Sequence, residues 1–221
     1  MLDRIASALS ARHASETRVR QFVADASHEL RTPLAAIRGY TELAQRKHDE
    51  LPADVAHAMN RVESETTRMT QLVEDMLLLA RLDAGRPLER ESVDLSRLVV
   101  DSVSDAHIAG PDHQWSLDLP EDPVVVDGDE ARLHQVLANL LANARTHTPS
   151  GHVGHGGAET RTGRVLLSVA DDGPGIPASL LPDVFERFAR GDSSRSRREG
   201  STGLGLAIVA AVVKAQAAPS T

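Results

Sequence analysis

Small or apolar residues recur at Val19, Val23, Ala26, Leu30, Pro33, Ile37, Tyr40 and Ala44, in steps that alternate four and three. The same alternation returns at Val55, Met59, Val62, Thr66, Met69, Val73, Met76 and Ala80. A repeat averaging 3.5 residues marks the seam of helices packed side by side. Between the seams, His48-Asp-Glu-Leu-Pro52 reads as a turn, so the two helices form an antiparallel hairpin. Stripes this narrow leave half of each seam in water when the hairpin stands alone. A homodimer that closes two hairpins into a four-helix bundle buries both halves.

With Val23, Leu30, Ile37 and Ala44 as the a positions, His28 falls at f, opposite the seam. A ring there serves no core and is free to meet something from solution. Glu29 follows directly, and Thr32 lies one turn on, on the same outer face as His28. A lone surface histidine is as often inert as chemical, so the rest of the chain has to decide its role.

The chain has 221 residues, which suits one medium domain or two small ones. Hydrophobic residues make up 41% but aromatic ones only 2%, so any core is built from Leu, Val, Ile and Ala, which favours helical packing. A formal charge of −8 offers no electrostatic footprint for nucleic acid. The absence of cysteine excludes disulfides, cysteine-based zinc sites and a thiol nucleophile. No apolar run approaches the roughly 18 residues that span a bilayer, so no direct membrane insertion is expected of this chain. Asp3 and Arg4 ahead of a mixed helix do not read as a signal peptide.

After Ala84-Gly85-Arg86-Pro87 the texture becomes α/β. A short strand is expected around Leu88 to Val93, then a helix capped by Asp94 that runs to about Ile108 and closes at Gly110-Pro111. Trp115 to Leu119 and Val124 to Asp127 read as strands, and Glu130 to Arg145 as a strong helix. Residues 149–163, with five glycines, read as a loop. Val165 to Ala170 is a strand and Gly203 to Lys214 a final helix, completing an α/β sandwich.

Three segments of this half carry site chemistry. Asn139 and Asn143, four apart on one helix, project both amides from one face. An amide offers an oxygen to a hard cation and a donor to phosphate without adding negative charge. Asp171 leads into Asp-Gly-Pro-Gly-Ile-Pro177, where Gly173 and Gly175 let backbone approach a flat ligand and Asp171 can accept from an exocyclic amine. Gly200-Ser-Thr-Gly-Leu-Gly-Leu206 opens a helix, turning glycine amides and a helix N-terminus toward phosphate.

Taken in order, these segments resemble the sensor histidine kinases of two-component signalling. Ser-His28-Glu-Leu-Arg-Thr-Pro-Leu resembles the H box, Gln135-Val-Leu-Ala-Asn139-Leu-Leu-Ala-Asn143-Ala the N box, and Asp171-Asp-Gly-Pro-Gly-Ile the G1 box. Phe185-Glu-Arg-Phe188 is similar to the F box and Thr202-Gly-Leu-Gly-Leu-Ala-Ile to the G2 box. The resemblance implies a dimerisation and histidine-phosphotransfer bundle over residues 1–84 and an ATP-binding α/β sandwich of Bergerat type over 88–221. His28 would be the phosphoacceptor and Glu29 its base. Asn143 would be the principal Mg²⁺ ligand, with Asn139 near metal and phosphates. Asp171 would read the adenine amine in a pocket shaped by Gly173 and Gly175. Gly203 and Gly205 would lie under the phosphates, and Phe185 and Phe188 would anchor a lid over 178–199. Implied partners are a second copy and the receiver domain of a response regulator, and the implied place is the cytoplasmic part of a membrane receptor.

Three features depart from the family pattern. Thr146 stands where a lysine is usual, with Arg145 pointing elsewhere on the helix, and His147 stands where an aromatic lines the adenine pocket and is expected to stack in its place. The stretch after Val213 lacks the His-Gly-Gly turn and following strands, so a C-terminally short domain with a bare sheet edge and weak ATP binding is expected. Two other functions compete. The Glu29 to Thr32 spacing resembles a phosphatase motif, in which the bundle acts as phosphatase or scaffold. A general ATPase is disfavoured by Asn139, where hydrolysing relatives carry glutamate. His152-Val-Gly-His155 lacks the carboxylates of a metal site.

Overall fold

The computed structural model describes residues 30–44, 51–149, 153–161, 164–189 and 202–217. The chain divides into two compact units, Met1–Arg86 and Pro87–Thr221.

In the first unit, residues 30–44 are helical (α1) and Ala53–Asp83 form α2. Leu34, Val73 and Leu77 pack into one buried cluster that joins the two helices. Buried Thr41 and Thr66 satisfy their hydroxyls locally, donating to the carbonyls of Arg38 at 2.8 Å and Val62 at 2.7 Å. The seam read from the sequence is only partly buried: on α1 the buried positions are Leu34 and Thr41, each one residue beyond a seam residue, and none of the described seam residues of α1 is buried. Thr66 and Val73 are buried, while Leu30, Ile37, Tyr40, Val55, Val62 and Met69 stay exposed. Leu34, Ile37, Val62, Thr66 and Met69 line an apolar groove of about 340 Å³ with Arg61 and Glu65 beside it. Farther along α2, Asp75 is buried and accepts from Gln71 Nε2 at 2.9 Å. Burial pushes its carboxyl above the ordinary range, against the lowering effect of Gln71.

The second unit begins with β1 (Glu91–Asp94) and α3 (Leu95–Ala109). Asp94 caps α3 by accepting from the Arg97 amide at 3.1 Å. There follow β2 (Gln114–Asp118), β3 (Val125–Gly128), α4 (Glu130–His147), β4 (Val153–Arg161), β5 (Arg164–Asp171) and α5 (Gly205–Gln216). β1 and β3 form an antiparallel ribbon, and β2, β4 and β5 form a three-stranded sheet in that order, parallel between β2 and β4 and antiparallel between β4 and β5. α3 and α4 pack on the sheet, and α5 packs on α4. The core between them holds Val93, Leu98, Val99, Val103, Leu137 and Leu141, all aliphatic.

The reading of 149–163 as a loop is overturned, because Val153–Arg161 is the central strand of the larger sheet. Its glycines reflect crowding. A Cβ on Gly154 would run into the ring of Trp115, one on Gly156 would come within 2.8 Å of Val103 Cγ2, and one on Gly157 within 2.8 Å of the Asp118 carbonyl oxygen. Glycine here marks neighbours too close for a side chain. The first strand also sits slightly later than the pattern implied, at Glu91–Asp94, and the last helix begins at Gly205.

Candidate nucleotide site and phosphoacceptor helix

α4 presents Asn139 and Asn143, both half-buried, and carries Leu133, Leu137 and Leu141 into the core. Asp129 caps its start by accepting from Arg132 N at 3.1 Å. Asn139 lies against the start of α5: a Cβ on Gly205 would sit 3.5 Å from its Oδ1. Its Nδ2 is buried and has no hydrogen-bond partner among the described residues. A buried amide donor left unmade is costly, and the nearby helix terminus has no side-chain cap. Asn139 of α4 therefore lies beside the first turn of α5, and a helix start of this kind suits an anionic group.

The backbone before α5 turns through a left-handed residue. Gly203 has φ 72°, and its carbonyl accepts from the Phe188 amide at 2.8 Å. Thr202 Oγ1 accepts from the Leu204 amide at 3.4 Å. Phe188 itself adopts φ 63°, and the rings of Phe185 and Phe188 are both exposed. Ile176 and Leu181, in the same 172–189 stretch, are exposed as well.

Asp171 ends β5, exposed, and its Oδ1 accepts from the Gly173 amide at 3.0 Å. This turn rests on the end of α4. A Cβ on Gly173 would come within 2.6 Å of Thr148 Cγ2 and 3.4 Å of the His147 carbonyl oxygen. Gly175 has φ 73° with open space around it. Exposed His147 closes α4 one residue earlier. Arg145 does point away, its Cδ packing where a Cβ on Gly110 would lie, 2.5 Å from it. Thr148 is not marked by any pattern in the sequence. Its hydroxyl donates to the Ala144 carbonyl at 2.7 Å, and its own carbonyl takes His113 Nε2 at 3.4 Å.

The structure thus brings Asn139, Gly203, Gly205 and Phe188 together at one end of the site, and Asp171, Gly173 and the end of α4 at the other. Thr32 is exposed on α1. His28, Glu29, His152, residues 190–199 of the expected lid, and Gly200 and Ser201 lie outside the described residues.

Comparison with known proteins accounts for both units. Residues 18–85 match the family profile "His Kinase A (phospho-acceptor) domain". Residues 128–218 match "Histidine kinase-, DNA gyrase B-, and HSP90-like ATPase". The chain is 73% identical over 215 residues to "Probable sensor histidine kinase TcrY" of Mycobacterium tuberculosis, covering 97% of this chain and 45% of that one. It is 51% identical to "Sensor histidine kinase TrcS" of the same organism, covering 97% and 43%. It therefore spans under half the length of these curated relatives. Among solved structures, full-length ShkA in complex with AMPPNP is 30% identical with a TM-score of 0.70, covering 88% of this chain and 41% of that one. Histidine kinase AdeS of Acinetobacter baumannii is 27% identical with a TM-score of 0.57, covering 85% and 86%. With both domain types present in order and relatives this similar, the chain belongs to the sensor histidine kinases of two-component signal transduction.

Proposed function

We propose that this chain is a kinase core that uses ATP to phosphorylate His28 and passes the phosphoryl group to an aspartate in the receiver domain of a response regulator. The observation that carries the reading is Asn139, whose buried Nδ2 has no hydrogen-bond partner among the described residues and whose side chain lies beside the uncapped, glycine-opened start of α5. That pairing suits the phosphate end of a nucleotide, and the Asp171 to Gly175 turn suits its base. ATP supplies the γ-phosphoryl group, and Mg²⁺ offsets its charge. Among the described residues no group of three or more His, Asp or Glu side chains could hold a metal ion. The cation ligands proposed from the chain are the amide oxygens of Asn143 and Asn139.

The remaining work belongs to the chain's own side chains. The His28 ring attacks through one nitrogen, and Glu29 takes or holds the proton on the other. Asp171 accepts from the adenine amine, and His147 stacks beside it. Gly203 and Gly205 present backbone amides, and Phe185 and Phe188 anchor the lid.

The working unit in this reading is a homodimer. Leu30, Ile37, Tyr40, Val55, Val62 and Met69 are exposed along the seam within a single chain, and the apolar groove lined by Ile37, Val62 and Met69 supports a second copy as its cover. Exposed Thr32, four residues after His28 in the sequence, supports a phosphatase reaction on the regulator as the reverse arm of signalling. No described helix is long and apolar enough to cross a membrane. We place the core on the cytoplasmic side of a membrane receptor, where ATP and the regulator are found.

Incubation with γ-labelled ATP and Mg²⁺ tests the reading. The label should be acid-labile and base-stable, and absent from His28→Gln, which should still dimerise and bind nucleotide. Acid-stable label, or label on His28→Gln, would overturn the assignment.

A further inference from the structure

Thr148 joins three parts of the second unit with three different groups. Its hydroxyl donates to the Ala144 carbonyl at 2.7 Å, fastening it to the last turn of α4. Its carbonyl oxygen accepts from His113 Nε2 at 3.4 Å, which ties it to the segment leading into β2. Its methyl carbon packs beneath the turn after β5, so close to Gly173 that a Cβ there would come within 2.6 Å. Gly173 is the residue whose amide holds Asp171 Oδ1, at 3.0 Å. Thr148 leaves the helix in extended backbone, φ −104° and ψ 145°, which lets all three contacts coexist.

We infer that Thr148 is a positioning residue for base recognition: its methyl group sets the height of the Asp171–Gly173 turn, and through Gly173 the direction of the Asp171 carboxylate. This rests on the reading of Asp171 as the group that meets adenine. The methyl and the hydroxyl have separable duties. The hydroxyl serves the helix end, and its loss weakens folding. The methyl serves the turn, and its loss leaves a gap under Gly173 into which the turn settles. A carboxylate that must meet one exocyclic amine loses discrimination when displaced by a fraction of an ångström.

Two substitutions in the full chain separate these duties. Thr148→Ser keeps the hydroxyl and removes the methyl. Thr148→Val keeps a methyl and removes the hydroxyl. In nucleotide-free, ¹⁵N-labelled protein, the Gly173 amide resonance should move in Thr148→Ser and stay near its place in Thr148→Val. Calorimetric titration with ATP and GTP should show the preference for ATP falling at least about fivefold in Thr148→Ser. Affinity for inorganic triphosphate should not change. Thr148→Val should keep the ATP preference and melt at a lower temperature. If the parent chain prefers ATP and Thr148→Ser keeps that preference within about twofold, the inference is overturned alone. A parent chain that binds neither nucleotide overturns the reading of the site as well, and the Gly173 resonance then reports only whether the contact is real.

Discussion

The Phe188 amide donates to the Gly203 carbonyl at 2.8 Å, and both residues hold positive φ, 63° and 72°. A glycine adopts that backbone freely, whereas a phenylalanine gives up about 1–2 kcal/mol to do so. The strained residue keeps its ring exposed, so packing offsets little of that cost. The strain is concentrated where the proposed lid anchor meets the proposed phosphate loop.

Phe188→Gly should relieve the strain and melt within about 1 kcal/mol of the parent, the lost ring contacts and added chain entropy roughly cancelling the gain. Phe188→Val, branched at Cβ, should melt well below both. Thermal unfolding of the three proteins decides it. Severe destabilisation by glycine would show that the ring packs more than its exposure indicates.

Gly203 and Gly205 are two residues apart and should respond in opposite ways. Gly203→Ala should cost about 1–2 kcal/mol, because of its left-handed backbone. Gly205→Ala should leave stability nearly unchanged, since the added carbon meets Asn139 only at ordinary contact distance, 3.5 Å. Its effect should appear in nucleotide affinity, because the methyl group occupies space that a phosphate needs. Melting curves paired with ATP titration separate the two. Undiminished affinity in Gly205→Ala would remove that glycine from the site.

Gly154→Val should unfold or severely destabilise the second unit, because Trp115 occupies the position of its Cβ on the partner strand. A cost of several kcal/mol is expected for overpacking of this kind. Trp115→Ala in the same chain should recover part of the loss. Circular dichroism against temperature is sufficient. An unaffected Gly154→Val would mean that β4 is not the crowded central strand.

Asp75→Asn should stabilise the first unit at neutral pH. The folded-state pKa is raised by burial, so the folded carboxyl binds a proton more tightly than the unfolded one. The parent therefore loses stability as pH rises from the ordinary carboxylate value of 3.8 through the raised folded value. Asparagine keeps an oxygen for Gln71 and carries no charge, so its advantage should be largest at pH 7 and shrink toward pH 3. An advantage independent of pH would assign the effect to something other than ionisation.

Local information alone determined much of this protein. The alternating seams determine helices over 30–44 and Ala53–Asp83, because burial of one stripe every 3.5 residues has no other regular solution. Asp94 and Asp129 determine where α3 and α4 begin, because a carboxylate at a helix start satisfies amides that nothing else reaches. The order of the motifs determined the family, since each is a short run whose chemistry is local. Tertiary contacts decided the rest. β4 was hidden because glycines usually signal a turn, and only Trp115, Val103 and Asp118 crowding that strand explain them. Which residues of the hairpin are buried, off-seam Leu34 and seam residue Val73 but not Ile37 and Met69, depended on how one helix lies on the other. Thr148 and His113 carry no pattern, because their contacts join residues far apart in the chain to the Asp171–Gly173 turn. Periodicity and capping act within a few residues of chain, whereas crowding and support act across space.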